Sequence, residues 1–519
     1  MQKQFLTSSV YSFESLRNGS FLYVDKTEYI WRLVESANAM YFLSRPRRFG
    51  KSLTISTLKA LFQGRKELFR GLAIYDRPYD WKPHPVIHLD MGSRKSSSVE
   101  QLENALLDAL KNCADSLGVV PRGDDAQTQL GNLILDVSKT APAVILVDEY
   151  DKPILDNIGQ PEEQAILRHL KGFYSSIKTG ADRIRFALVT GVTKFCHVSL
   201  FSDLNNLQDI SRDSHYAAML GYTQEEFERC FALWIAEAES RQELSHEKFL
   251  EKIKNWYDGY RFHEKAESVY NPVSLASFFL SGGEFKNFWF ATGTPSFLMQ
   301  LVKKTNFDFE KVLTKPVSEI AFSAYEADRL EALPLLLQTG YLTIKNAFED
   351  FGMTFYNLQF PNLEVRSAFD NYLLNAYTSI DKDSLAGYAV EMAAHVRSGD
   401  VEKFMEELQT FFAAIPYDIQ IQNERYYQTI FYTLFLLLGV YIEAEARTNR
   451  GRIDAVAACG DWIYIFEFKL DQDADAALAQ IRNMEYYQKY HKLGKRLVLI
   501  GANFDSQKRQ IADWLHKEL

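Results

Sequence analysis

Cysteine is scarce in this chain and widely scattered: Cys113, Cys196, Cys230 and Cys459 are the four among 519 residues, and none forms a CxxC pair. That spacing argues against both a disulfide framework and a cysteine-built zinc site, and it suits a reducing cytoplasm, the expected location. Long apolar runs are missing too. The longest, TIFYTLFLLLGVYI (429–442), is shorter than a membrane span and reads as a buried helix, so no membrane partner is expected. The N-terminal stretch MQKQFLTSSVYSFESL lacks a basic start followed by an apolar run, which argues against a signal peptide. Nor is there an excess of positive charge. At a formal net charge of −10 the average field repels phosphate, so any nucleic-acid contact has to come from local basic patches. No repeat or low-complexity segment occurs.

What is present is ordinary globular composition, 47% apolar and 24% charged, in a chain longer than one hydrophobic core usually supports. Length alone suggests about two to four domains. The first informative stretch is MYFLSRPRRFGKSLTISTLK, residues 40–59. Met40 to Ser44 form a short apolar run of the buried parallel-strand type, and Leu53, Ile55, Leu58, Leu61 and Phe62 recur at helical spacing. Strand, loop, helix is the context in which a GK[ST] tripeptide signals a phosphate-cradling loop. Gly50 permits close backbone approach, Lys51 reaches the terminal phosphates, and Ser52 offers its hydroxyl to Mg²⁺. Such a loop usually starts with glycine, but here Arg45 and Pro46 stand at that point. A different entry shape follows, with the amides of residues 47–52 still converging on an anion at a helix N-terminus. Arg45, Arg47 and Arg48 are expected to add positive charge there. The candidate nucleotide contacts are Arg47, Arg48, Phe49, Gly50, Lys51, Ser52 and Leu53.

A second motif supports the first. In APAVILVDEYDKPI the run Val144 to Val147 ends in Asp148 and Glu149, the layout of a buried strand presenting one carboxylate to Mg²⁺ and another to a water. A third apolar strand, Ile184 to Val189, ends at Thr190, a candidate γ-phosphate sensor or a simple turn former.

These residues carry a resemblance. The chain resembles bacterial AAA-ATPase-like proteins through YVDKT (Tyr23 to Thr27), FLSRPRRFGKS (Phe42 to Ser52) and VDEYD (Val147 to Asp151). FSDLNNL (201–207), WYDGYRF (256–262), YNP (270–272) and WFATGTPSFL (289–298) are similar to the same family. The resemblance implies ATP binding by Lys51 and Ser52, metal binding by Asp148 and water activation by Glu149. In that family the arginine-rich loop is the usual form.

Residues 216–375 read mainly as helix, with GYLTIKNAFED and MTFYNLQFPNLEV alternating like the wing of a winged helix. Tyr257, Tyr260 and Trp289 at these spacings read as core packing, with base stacking as the functional alternative. Arg212 and Arg261 have a structural reading and a phosphate-sensing one.

Near the C-terminus, GRIDAVAACGDWIYIFEFKL (451–470) reads as two strands joined by a two-residue turn at Gly460-Asp461. With Cys459 facing Trp462, counting back sets Asp454 across from Glu467, a pairing that destabilises a hairpin unless a cation lies between the carboxylates. Lys469 shares the face of Glu467, and Arg452 would oppose Lys469. An Asp, a Glu and a Lys on one face form a centre for metal-assisted phosphodiester hydrolysis. A surface hairpin with solubilising charges is the plainer alternative. The D-(x)n-E-x-K pattern resembles the PD-(D/E)XK nuclease superfamily. That resemblance adds Glu424 from a preceding helix and Gln480 from a following one, with Tyr487 nearby.

The expected protein is multidomain α/β: an AAA+-like P-loop ATPase domain (1–215), a helical lid or winged-helix-like region (216–375) and a PD-(D/E)XK restriction-endonuclease-like domain (376–519). The expected catalytic residues are Glu149, Asp454, Glu467, Lys469, Glu424 and Gln480. Metal is expected at Ser52 with Asp148 and at Asp454 with Glu467. ATP and Mg²⁺ are the expected cofactors, with Mn²⁺ an alternative at the nuclease site, and DNA or RNA is the expected partner. Oligomerisation stays open. The rival reading is an ATP-driven signalling or scaffolding switch whose nuclease-like domain only binds a partner or nucleic acid.

Overall fold

Five apolar segments make the first sheet: β1 (Ala39–Ser44), β2 (Val86–Asp90), β3 (Ala143–Asp148), β4 (Ile184–Gly191) and the short β5 (Gln208–Asp209). All pair in parallel in the order β2-β3-β4-β1-β5. Every residue of β3 is buried, and of β1 only Ala39 is partly exposed, as a parallel strand covered on both faces requires. The computed structural model describes residues 4–36, 39–93, 96–194, 207–289, 298, 301–302, 307, 309–322, 332–415, 424–438, 441–448, 451–485, 487–491, 494–508 and 510–519. Helix α1 (Lys51–Phe62) follows β1 directly and buries Ile55, Leu58, Leu61 and Phe62. The sheet order places β1 between β4 and β5, so the C-terminal ends of β1, β3 and β4 are brought together, where ligands bind in open α/β sheets.

The chain divides into two units, one built from Met1–Thr294 with Lys311–Val365 and the other from Pro295–Glu310 with Arg366–Leu519. In the first unit, α2 (Gln224–Glu239) opens on a capping box in which Thr223 and Glu226 satisfy each other's backbone amides. It packs with α3 (His246–Tyr257) and α4 (Pro272–Leu280) around Phe227, Phe231, Phe249 and Tyr257. Tyr257 and Tyr260 are buried and Trp289 nearly so, which bears out the core-packing reading of these rings. β7 (Thr343–Asp350) and β8 (Met353–Gln359) form the wing-like hairpin, with β6 (Val317–Ser318) on its other edge in the order β6-β8-β7.

In the second unit a mixed sheet runs β13-β12-β11-β10-β9. Its strands are β9 (Tyr441–Thr448), β10 (Gly451–Cys459), β11 (Trp462–Leu470), β12 (Arg496–Asp505) and β13 (Gln510–Glu518). β11 and β12 are parallel and joined through α6 (Ala474–Asn483), which follows α5 (Glu424–Leu437) in the chain. α6 lies so close to β12 that a Cβ at Gly501 would run into the backbone of Leu478 and Ala474. This close seating puts Gln480 over the sheet. No helix among the described residues is long and apolar enough to cross a membrane. Residues 201–206 and 290–297, which carry most of two of the resemblance motifs, lie outside the described residues.

Candidate active sites

At the end of β1 the chain turns through residues 45–50 into α1. Gly50, the residue before the helix, has φ +91°, a left-handed conformation that a side chain would strain. Lys51 is buried, and its ammonium donates to the carbonyls of Arg45 and Pro46, each at 2.9 Å. Burial lowers its pKa, opposed by Asp148, Glu149 and Asp151. An ammonium held by carbonyls of its own loop is positioned to exchange them for phosphate oxygens.

Asp148 ends β3 and is buried. Its Oδ1 accepts from the Thr190 hydroxyl at 2.6 Å and from the Glu149 amide at 3.0 Å. Thr190, fully buried, therefore fixes the orientation of that carboxylate from the neighbouring strand. Glu149 has φ +52°, rare for a non-glycine residue, and burial raises its pKa against the pull of Lys51. A Cβ at Gly92 would collide with Glu149 Oε2, so the glycine after β2 leaves the space the carboxylate occupies. Sequence reasoning missed Gly92, because nothing local marks a glycine whose neighbour arrives from another strand. Asp151 is buried and accepts from the Thr193 amide and hydroxyl, both at 2.7 Å, which locks the turn after β3 to the turn after β4.

The arginines divide differently from expectation. Arg45 does not extend into the phosphate-binding end of the loop: it is 1% exposed, and its guanidinium donates to the carbonyls of Ser44, Ser211 and Tyr216. It also stacks on Phe262 at 4.1 Å. Arg48 donates to the Phe288 carbonyl, and the Trp289 indole donates to the Arg47 carbonyl. The ring of Phe49 packs edge-on against Tyr260 and Phe262, which leaves its backbone amide as its contribution to the loop. Ser52 and Leu53 open α1 and are partly exposed. Arg212 stacks on Phe322 and Tyr356, and Arg261 donates to the Lys345 carbonyl at 2.7 Å.

In the second unit the hairpin has the register read from the sequence. Cys459 pairs with Trp462 and Ala455 with Phe466, and the same count carried one residue further sets Asp454 opposite Glu467. The Phe468 amide donates to Asp454 Oδ2 at 2.8 Å. The Glu467 side chain is 2% exposed. Its Oε1 accepts from Lys469 Nζ at 3.2 Å and from the Gln480 amide, while Lys469 also donates to Gln480 Oε1 at 2.7 Å. Glu467 Oε2 is buried with no hydrogen-bond partner among the described residues. Burial, then the Asp454 charge, push the Glu467 pKa up to about 7, with Lys469 opposing.

The structure thus brings Glu467, Lys469 and Gln480 into one hydrogen-bonded cluster, with Asp454 close enough for its charge to be felt. Glu424 is the first residue of α5, and its side chain, like that of Arg452, lies outside the described residues. Tyr487 packs on His491 instead of entering the cluster. Among the described residues no three His, Cys, Asp or Glu side chains group to hold a metal. The donor set on offer is a carboxylate pair with one orphaned oxygen, which suits a hard divalent cation completed by backbone, water or substrate oxygens.

Comparison with known proteins gives two matches of family models. Residues 8–201 match the AAA-ATPase-like family, described as predicted AAA-ATPase, and residues 422–514 match the PD-(D/E)XK nuclease superfamily. Over its full length the chain is 35% identical, across 531 aligned positions, to an uncharacterized protein encoded in the vnfD 5′ region of Azotobacter chroococcum mcd 1, all of which is covered.

Proposed function

From the premise that this chain belongs to the AAA-ATPase-like family and carries a C-terminal PD-(D/E)XK nuclease superfamily domain, we propose that it hydrolyses ATP and uses that cycle to control divalent-metal-dependent cleavage of DNA or RNA. In this reading Lys51 and the amides of residues 47–52 hold the phosphates, Ser52 and Asp148 hold Mg²⁺, and Glu149 orients and deprotonates the attacking water. Thr190 acts through Asp148.

At the second site Asp454 and Glu467 hold Mg²⁺ or Mn²⁺. Bound there, the ion would supply Lewis-acid charge to a phosphodiester. Lys469, fixed by Glu467 and Gln480, adds a positive charge beside the pair. Glu424, the first residue of α5, is the acidic residue that the resemblance adds. The observation that carries the proposal is the orphaned Glu467 Oε2: a buried carboxylate oxygen without a donor is costly unless a cation completes it.

The test is cleavage of single- and double-stranded DNA and RNA with Mg²⁺ or Mn²⁺, with and without ATP. ATP is expected to change the wild-type rate by tenfold or more and to leave Lys51→Ala unmoved. A protein that binds no Mn²⁺ at the hairpin and leaves every substrate intact would instead be the scaffolding switch. Positioning of Glu149 is tested separately. Gly92→Ala is expected to lower phosphate release about 100-fold by displacing that carboxylate, with nucleotide affinity preserved in a fluorescent-nucleotide titration.

A further inference from the structure

A cavity of about 60 Å³ lies beside the start of the P-loop, walled by Ser44, Arg45 and Pro46 together with Arg212, Arg261, Phe262, Phe322 and Gln338. Lys51, Ser52, Asp148 and Glu149 do not line it, so it is distinct from the candidate nucleotide site. At about 10–15 Å³ per water it has room for roughly four waters or one tetrahedral oxyanion.

Four side-chain nitrogens of the lining residues are buried and have no acceptor among the described residues: Arg45 Nε, Arg212 Nε, Arg261 Nε and Gln338 Nε2. Gln338 uses its carbonyl oxygen to accept from the Lys194 amide, so the free end of the amide is a donor. Arg212 is paired with Glu264 at 3.4 Å, and Lys194, also in the wall, with Asp209 at 2.7 Å. Arg45 and Arg261 have no carboxylate partner among the described residues and donate only to backbone carbonyls. None of the described residues that line the cavity carries a carboxylate, while Arg45, Lys194, Arg212 and Arg261 are cationic. Guanidinium groups stacked on Phe262 and Phe322 keep their edges available for in-plane hydrogen bonds.

Buried donors without acceptors, clustered cationic side chains and space of oxyanion size coincide at one place. We propose that this cavity is a second anion site, which binds a phosphate group next to the P-loop and outside its phosphate cradle. The group is either free inorganic phosphate or the phosphoryl end of a small phosphoester.

The experiment is isothermal titration of the full chain carrying Lys51→Ala, which disables the P-loop, with inorganic phosphate and separately with adenosine 5′-monophosphate. Saturable binding of phosphate is expected to persist in Lys51→Ala. Adding Arg261→Gln or Gln338→Leu is expected to weaken it tenfold or more. Gln338→Leu is neutral and of similar size, so it carries the test should Arg261→Gln fail to fold, as judged by thermal unfolding without ligand. Binding of inorganic phosphate alone identifies the free ion; tighter binding of the monophosphate identifies a phosphoester. Absence of saturable binding in Lys51→Ala, or binding unaffected by Gln338→Leu, would show that the cavity holds only water and overturn the proposal. Neither result depends on ATP turnover or on nuclease activity.

Discussion

Glu467→Gln is expected to reduce metal-dependent cleavage by about 10³-fold or more while making the metal-free protein more stable at pH 8. Both effects come from the same oxygen. In the wild type the Glu467 carboxylate is buried beside Asp454, and its pKa rises from the ordinary 4.5 to about 7. The folded state therefore binds a proton that the unfolded chain has already released between those two pH values. Stability falls as pH climbs from about 4.5, and above about 7 the full penalty applies, on the order of 2–3 kcal/mol for this site. Glutamine carries no charge to desolvate, so the variant escapes that penalty. Thermal unfolding in a chelator should show the variant several degrees above wild type at pH 8 and nearly level with it at pH 4. Mn²⁺ should reverse the order, because only the wild type has a carboxylate for the ion to neutralise. If the two proteins cleave equally, or their pH-stability curves run parallel, Glu467 is neither ligand nor strained acid.

That cluster was legible in the sequence to an unusual degree because a hairpin is a local object. The Gly460-Asp461 turn and one count across it fix which side chains face each other. Gln480 came from the resemblance to the PD-(D/E)XK superfamily, and the structure carries it on α6, the crossover between the parallel strands β11 and β12. The P-loop was equally local, being strand, loop and helix in sequence order.

What stayed hidden depends on partners far along the chain. Arg45 looks like a phosphate ligand from its neighbours, yet its acceptors on Ser211 and Tyr216 arrive from 166 and 171 residues away. Gly92 matters only because Glu149 comes from the adjacent strand to occupy its side-chain space.

Glu149→Gln is expected to lower ATP turnover by about 10²–10³-fold without loss of nucleotide binding, and it separates two ways in which the N-terminal unit could act on the C-terminal one. Glu149 follows Asp148 in a left-handed backbone conformation, and its carboxylate sits over Gly92 with its pKa raised by burial, the direction that makes it a stronger base. Glutamine keeps the shape and the contact with Gly92 but cannot take the proton. Lys51, Ser52 and Asp148 are untouched, so ATP and Mg²⁺ are retained and the protein accumulates in the ATP-bound state. If ATP binding is the signal, cleavage by Glu149→Gln stays responsive to ATP and persists after one addition of nucleotide, whereas Lys51→Ala gives no response. If hydrolysis is the signal, both variants lose the response together. Phosphate release measured beside cleavage in the same samples decides between them. Wild-type turnover in Glu149→Gln would instead move the base to another residue, with Asp151 ruled out by its hydrogen bonds to Val192 and Thr193.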